Sequence, residues 1–464
     1  MSAALRHAEK ARRSSCAFAD TVASMSIAAY RREVPPELQA AYRQTVLAAV
    51  LLQGPVDDVL EVISLGVGTK VLSLELLLQS EEQARVGGGG SDKIRDMHAE
   101  VLARRGLLSW LYRQLELGSD SPYLEEVTSP ATAPAPAPAP APGPGQAPEA
   151  RSFLRLRAGY SLHMYSSSQP CGNACIKKWG KSKRPGAELA SLGPFCCPVI
   201  EHPKFHVTAR KEGQVAALVK SAVAASEEPE EEAENEGGGT LDSSTGNGGR
   251  RAAPPGTAYP DSVPLQGLVL SCSDKLLVWN CLGLQGGLLS TWLEPLYLRS
   301  LTVGRKFSQV HCERALCCRA AACFSPFGPF AVNHPAMLCS SVRFDDTVFD
   351  TSAAFGFSGA VFSEKRCFVW EASRSAGEVL DGATGNLFDS PAQSSTFSSA
   401  FLFQRYKALS TCIGPSAHAQ KYQAAKKAEG GASSYDAAKT LLFSPPSFLF
   451  EYRPHTPRHH NSTA

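Results

Sequence analysis

Three short runs carry side chains whose types and spacing could do chemistry together. His98-Ala99-Glu100 sets an imidazole and a carboxylate two residues apart, and Pro170-Cys171-Gly172 and Ser271-Cys272-Ser273-Asp274-Lys275 each offer a thiol in a polar setting. Imidazole nitrogen and thiolate sulfur are ligands for zinc-type cations. A carboxylate beside such a cation can move the protons of a bound water. Residues two apart do not share one face of a long helix, but at its first turn they can flank a single metal-bound water. Proline suits a first helical turn, and a cysteine there sits at the positive end of the dipole, which favours the thiolate. Each run alone also has a plainer reading: a solvated helix start for His-Ala-Glu, a small buried hydrophobe for a cysteine.

An H-x-E run followed downstream by P-C is the pattern of zinc-dependent base deaminases. That pattern continues P-C-x-x-C, and here Cys175 comes one residue late. Cys175 lies one turn after Cys171 and could reach the same ion. Cys196 and Cys197 are adjacent, and neighbouring side chains rarely converge on one metal. Cys272 opens a separate helix. Spacing leaves Cys175 and Cys272 even as third ligand.

The elements that must position these residues follow from periodicity. Residues 17–52 read as helical, with Phe18, Val22, Met25 and Ala29 at helical spacing and a break at Pro35-Pro36. The longest apolar run, Val46 to Leu52, fits a buried helix. Val59–Leu65 and Thr69–Leu74 read as strands broken at Gly66 and Gly68. Gly87–Gly90 bridges to Asp96 and His98, after which Val101, Leu102, Leu107, Leu108 and Leu111 line one helical face. Tyr160–Ser168 alternates as a strand and meets a helix start at Pro170. Gly267–Leu270 is a short strand that ends at Ser271, where another helix begins. Three times, a strand or loop delivers a ligand-type residue to a helix start.

Composition sets the bounds. A chain of 464 residues has room for about three domains, and 43% apolar residues can build a large core. With 19% charged residues and a net charge of +2, positive potential for RNA would have to be gathered locally. No apolar stretch approaches the roughly 18 residues of a membrane span, and the basic start lacks a secretory apolar segment. Fourteen cysteines therefore read as reduced, buried or metal-bound in an intracellular chain, cytoplasmic or nuclear. Two tracts interrupt the globular pattern. Residues 129–149 alternate Ala and Pro as a semi-rigid spacer. Residues 227–249 run from seven glutamates into Gly/Ser/Asn, a composition that cannot bury enough apolar surface to order itself. A weaker polar stretch spans 373–397. The motifs flank the tracts, so one α/β domain over residues 17–454 is expected, with a flexible tail at 455–464.

The motifs also support a resemblance. Val62-Ile63-Ser64-Leu65-Gly66-Val67-Gly68-Thr69-Lys70, Asp96 through Arg105, Pro170-Cys171-Gly172, Ser271 through Lys275, Trp279-Asn280, Gln285-Gly286 and Glu294 through Leu298 together resemble the editase-type RNA adenosine deaminases. The resemblance implies a cytidine-deaminase-like mixed sheet flanked by helices, elaborated with a C-terminal helical segment. It implies zinc on His98, Cys171 and Cys272, which decides the third ligand, and Glu100 as proton shuttle. It also implies a buried inositol hexakisphosphate. Arg104, Arg105, Lys275 and Trp279 match positions of its ring, and Asp96 with Lys275 matches a relay from the metal to the polyanion. Near the C-terminus, Tyr422/Lys426 and Tyr435/Lys439 repeat Y-x-A-A-K, with i, i+4 spacing on one helical face. Val278 stands where the family has an arginine, Arg95 where it has an asparagine, and Val269 where it has a threonine. Phe450-Glu451-Tyr452-Arg453 is all that remains of a tryptophan-containing segment. Arg250 or Arg251 are possible substitutes in the ring.

The domain begins within the first twenty residues, which leaves no room for a preceding RNA-binding module. That favours the tRNA-specific branch of the family, acting on the adenosine 3′ of the anticodon in alanine tRNA, with Thr69 and Lys70 near the target nucleotide. Rival readings are an editor of other structured RNA, a deaminase of free nucleosides, and a non-catalytic RNA-binding protein that keeps the fold.

Overall fold

The structure is a computed structural model that describes residues 3–42, 45–56, 59–127, 153–174, 205–206, 269–321, 324–344, 365–412, 421–427 and 431–444. The two low-complexity tracts, the tail, Cys175, Cys196-Cys197, Arg250-Arg251 and the 450–453 segment lie outside these residues.

A mixed seven-stranded sheet forms the centre. Its strands are β1 (Leu47–Gln53), β2 (Leu60–Val67), β7 (Ser161–Ser166), β10 (Leu298–Val303), β11 (Ala336–Cys339), β12 (Arg366–Glu371) and β13 (Glu378–Asp381), in the order β11-β10-β7-β1-β2-β12-β13. The remaining strands pair two by two outside it: β3 (Thr69–Val71) with β4 (Asp96–His98), β5 (Leu124–Val127) with β6 (Phe153–Leu156), and β8 (Phe205–His206) with β9 (Val269–Leu270). β10 runs parallel to β7 and β11, and the other pairs are antiparallel. Helix α4 (Ala99–Leu117) and helix α5 (Cys272–Leu282) cover one face, and α1 (Ala3–Glu33), followed by the short α2 (Pro36–Ala41), covers the other. Each face has its own core. Val50, Ile63, Leu107, Leu111 and Leu277 belong to the α4 side, and Val22, Tyr30, Leu51, Leu65 and Phe368 to the α1 side. Helices Ser399–Cys412 and Gly431–Leu442 pack on α4 and α5, giving the expected C-terminal helical addition.

Several local expectations are corrected. Val46–Leu52 is not a helix: Leu47–Gln53 is central strand β1, flanked by β2 and β7. A strand buried on both faces loses its alternation, so its apolar run cannot be told from a helix by period. Gly66 does not break β2. A Cβ there would collide with Ala99 O and Ala103 N, so the glycine lets α4 lie directly on the sheet. Leu74 opens α3 (Leu74–Gly87), capped by Ser73, and does not end a strand. Gly87–Gly90 is a capping turn: Gly88 adopts φ 67°, and its carbonyl accepts the Tyr422 amide at 2.7 Å. The polar 373–397 stretch contributes β13. Ser395 Oγ donates to Glu378 at 2.6 Å, and Phe397 is fully buried.

Candidate metal centre and the chamber behind it

His98 closes β4 (Asp96–His98) and serves as the residue before α4, so the strand end and the helix start hold the imidazole and Glu100 together. Cys272 opens α5. Ser271 and Asp274 form a reciprocal cap there: Ser271 Oγ accepts the Asp274 amide at 3.3 Å and donates to its carboxylate at 2.6 Å. Cys171 differs from expectation. Residues 167–174 form turns, not a helix start, and Gly172 takes φ 92° with Ser271 packed where a Cβ would be. The turn is fastened to the α5 start instead. Ser273 N–H donates to Cys171 O at 3.1 Å, Cys272 N–H to Cys171 Sγ at 3.4 Å, and Asn173 Nδ2 to Asp274 at 2.9 Å.

The outcome is convergence. Ligand atoms of His98, Cys171 and Cys272 all lie within 4.8 Å of one another, although 174 residues separate the first from the last. His98 Nδ1 is 2.6 Å from Asp96 Oδ1, which points Nε2 to the cluster as the ligand nitrogen. Asp96 also pairs with Lys275 Nζ. Burial works against ionisation of Asp96, but Lys275 and His98 outweigh it and hold the carboxyl far below its ordinary range. Burial likewise opposes charge on His98, while Asp96 lifts it to about 9. Glu100 is 3% exposed. Desolvation and the neighbouring Cys171 push its pKa up, Cys272 hydrogen-bonds it, and Ser166 Oγ donates to it at 3.2 Å. A cation ringed by one nitrogen and two sulfurs, next to a carboxyl that tolerates protonation, can activate water and relay its proton. Thr69 pairs with His98, and Lys70 with Met97, in the β3 (Thr69–Val71)/β4 ladder, so both lie on the strand beside the one that ends at His98.

Behind the cluster lies a second concentration of charge. Arg104, Arg105, Tyr422, Lys426, Tyr435 and Lys439 are each half-buried and gather between α4 and the C-terminal helices. Arg104 Nε donates to Leu284 O at 2.8 Å, and its guanidinium sits 5.0 Å from the Trp279 ring centre. Arg105 Nη1 donates to Phe397 O at 2.8 Å, but its buried Nε has no partner. Lys426 Nζ lies 4.0 Å over the Tyr422 ring. Desolvation and Lys426 bring Lys439 down to about 8. Burial would raise Tyr422, but Lys426, Ser399 and Arg105 bring it down to about 8. Among the described residues none of these four cations makes an ion pair. Val278 is buried in the α4-side core and adds no charge, whereas Arg95 lies within electrostatic reach of Arg105.

The sequence model of the adenosine-deaminase (editase) domain matches residues 64–445. The chain belongs to this family. It is 27% identical over 433 residues to the double-stranded RNA-specific adenosine deaminase of Mus musculus, which covers 92% of the chain and 31% of that relative. It is 27% identical over 324 residues to the double-stranded RNA-specific editase Adar of Drosophila melanogaster (69% and 38%), and 25% identical over 498 residues to the tRNA-specific adenosine deaminase 1 of Mus musculus (90% and 93%). The chain thus spans about a third of the length of the first two relatives.

Within this editase domain, some working residues escaped the sequence reading. Arg319 pairs with Asp274, and Arg314 Nη2 donates to Asn173 O at 2.6 Å, so both brace the Cys171 turn. Nothing local marks such long-range props. Tyr112 and Tyr406 place buried, unpartnered hydroxyls beside Tyr422. Tyr112 had a usable signal, seven residues after Arg105 and so on the same helical face. No helix among the described residues is long and apolar enough to cross a membrane.

Proposed function

We propose that this chain hydrolyses adenosine to inosine in RNA, with zinc held by His98, Cys171 and Cys272 and protons moved by Glu100. One observation carries the reading: two thiols and an imidazole converge within 4.8 Å beside a buried carboxyl. Zinc bound there would lower the pKa of a water towards neutrality. Glu100 would take one proton from that water and pass it to the purine ring nitrogen beside C6, then carry the second proton, from the hydroxyl newly bonded to C6, to the departing nitrogen. The C6–N bond breaks as a C6–O bond forms, and ammonia leaves. Ser166 and Cys272 orient the Glu100 carboxyl, while Asp96, anchored by Lys275, fixes the His98 ring. The adenine must be extruded from any stack to reach this point, and Thr69 and Lys70 border its path.

The chamber fits a polyanion. An unpartnered buried Arg105 Nε, two orphaned tyrosine hydroxyls and unpaired enclosed cations are the complement of a densely charged anion. Inositol hexakisphosphate, as the family resemblance implies, would be held by Arg104, Arg105, Lys426, Lys439, Tyr422 and Tyr435, with Trp279 backing Arg104 and Lys275 leading back to Asp96. Its contribution would be negative charge, and Arg95 would compensate for Val278.

The favoured substrate is tRNA, at the adenosine 3′ of the anticodon in alanine tRNA. The match to a tRNA-specific relative extends over 93% of that protein, which supports this choice. The higher identity to double-stranded RNA enzymes supports duplex RNA as the second reading. Inosine formation on an alanine tRNA transcript and on a perfect duplex, assayed in parallel, separates them. Faster turnover of the tRNA at that one adenosine is expected. Faster turnover of the duplex establishes the second reading, and inosine in neither overturns both.

A further inference from the structure

The sheet face beneath α1 changes character along its length. From Val22 onward α1 belongs to an apolar layer with Leu51, Leu65 and Phe368. One turn earlier, at Phe18, the sheet turns polar where β1 ends and where β7 and β10 begin. Gln53, Ser161, His163 and Ser300 adjoin one another there on three neighbouring strands. A cavity of about 780 Å³ opens over these four residues, lined also by Phe18, Pro55 and Arg299. That volume lies in the range of small-ligand sites. It is remote from the metal centre. Ser166, which meets Glu100, lies at the other end of β7, about 16 Å from Ser161 at roughly 3.3 Å per residue.

Hydrogen bonding fixes what the cavity floor can offer. Gln53 Oε1 only accepts. Ser161 Oγ donates to it at 3.2 Å, and His163 Nε2 lies 3.0 Å from it and 2.9 Å from Ser161 Oγ. Nε2 therefore carries the ring proton, and Nδ1 accepts from Ser300 Oγ at 2.7 Å. Burial, helped by the Arg299 cation, keeps the imidazole neutral by bringing its pKa down to about 4. Both serine protons are thus committed within the floor, and hydroxyl lone pairs face outward. Such a floor calls for donors. The rim calls for an anion: Arg299 is exposed, makes no ion pair among the described residues, and shares the lining with no carboxylate. Phe18 adds an aromatic wall, held edge-on to His163 with ring centres 5.0 Å apart. A patch that served packing alone would be closed over, as the same face is at Leu51 and Leu65.

We propose that this cavity is a second ligand site, on the sheet face away from the metal centre, and that it takes a ribonucleoside monophosphate. Ribose hydroxyls donate to Ser161 and Ser300, the phosphate pairs with the Arg299 guanidinium, and the base lies against Phe18 and Pro55. Acceptors, a cation and an apolar wall match the three parts of a nucleotide. A sugar phosphate would leave the apolar wall unused, and a nucleoside would leave Arg299 without its anion. The same chemistry is offered by a free nucleotide and by the 5′-phosphorylated end of an RNA strand. The site is independent of the reaction assigned to the metal centre.

The test is calorimetric binding of AMP to the full chain, with photolabelling by 8-azido-AMP to locate the ligand. Label is expected on the peptides that contain Phe18 or Pro55. Affinity should fall at least about tenfold in Arg299→Glu, the loss of one charge-assisted hydrogen bond. Arg299 is exposed, so this variant should fold, and Ser161→Ala at a half-buried position gives a second, smaller loss. Adenosine and inorganic phosphate should each bind more weakly than AMP. A 5′-phosphorylated RNA trinucleotide that displaces the label better than AMP supports the site with a strand end as its source, and one that displaces it less well supports the site with a free nucleotide. No binding of AMP, label confined to peptides around Thr69, His98 or Cys171, or an affinity that Arg299→Glu leaves unchanged overturns the proposal. Ribose 5-phosphate binding as tightly as AMP overturns the nucleotide assignment.

Discussion

At the start of α4, Asp96 is shared between His98 and Lys275, and Asp274 at the start of α5 is shared between Ser271, Asn173 and Arg319. A turn and a half along α4, Arg104 and Arg105 meet Lys426 and Lys439 with no carboxylate in ion-pair range among the described residues. Asp436 acts on Lys439 only at a distance, and Asp96 is already committed. The first region is balanced within the chain: its two buried aspartates, Asp96 and Asp274, each have a cationic partner, and the ligand atoms are held in place before a metal arrives. The second region is balanced only when something else is added. Buried like charges are costly without a counterion. The comparison teaches that preorganisation can be built from the protein alone, as at the metal centre, or left to be completed by a ligand, as proposed for the Arg/Lys/Tyr cluster.

The largest effect should come from the balanced region. Cys272→Ala is expected to lose zinc and reduce inosine formation to background. If Cys272→Ala keeps its zinc and Cys175→Ala loses it, the third ligand is Cys175. Next comes the unbalanced region. Expression in cells unable to make inositol hexakisphosphate should yield little soluble protein, and mass spectrometry of denatured protein from competent cells should release the polyphosphate. A ligand present at a thousand times its dissociation constant adds about 4 kcal/mol of stability. Soluble, active protein from the deficient cells, with no phosphate released from the competent ones, would show that the chamber stands without an anion.

A smaller effect concerns pH. Lys439 and Tyr422 are both held near 8 in the folded chain, below their ordinary 10.5 and 10.0. Between about pH 8 and 10 the unfolded chain then binds more protons, so stability of anion-free protein rises with pH over that window. It is lost again as pH falls through about 8. At about 1.4 kcal/mol per pKa unit the change is of order a few kcal/mol. Adding the polyphosphate should flatten the slope, because it supplies the charge that the amines lack. A slope unchanged by the ligand would place these side chains away from it.

Much of the site was legible because its signals are local. A capped helix start at Ser271-Cys272-Ser273-Asp274 and a strand-to-helix junction at Asp96–Glu100 each declare themselves within five residues. The Tyr/Lys pairs were legible for the same reason, although their inward orientation needed the resemblance. What could not be read depends on contacts distant in sequence. Leu47–Gln53 is a strand because β2 and β7 bury it from both sides. Gly66 is needed because α4 approaches the backbone there. Cys171 reaches the metal centre from a turn braced by Asn173, Arg314 and Arg319, not from a helix of its own. The 373–397 stretch is polar, yet Glu378, Arg374, Ser395 and Thr396 satisfy one another and order it.

The central claim, that a metal-activated water and Glu100 together deaminate adenosine, is tested most directly by Glu100→Ala with zinc content, folding and inosine formation measured on one preparation. The account predicts full zinc, an unchanged fold, and activity lower by about 10²–10⁴-fold, the loss typical of a missing general acid/base. Near-normal inosine formation in that variant would contradict it.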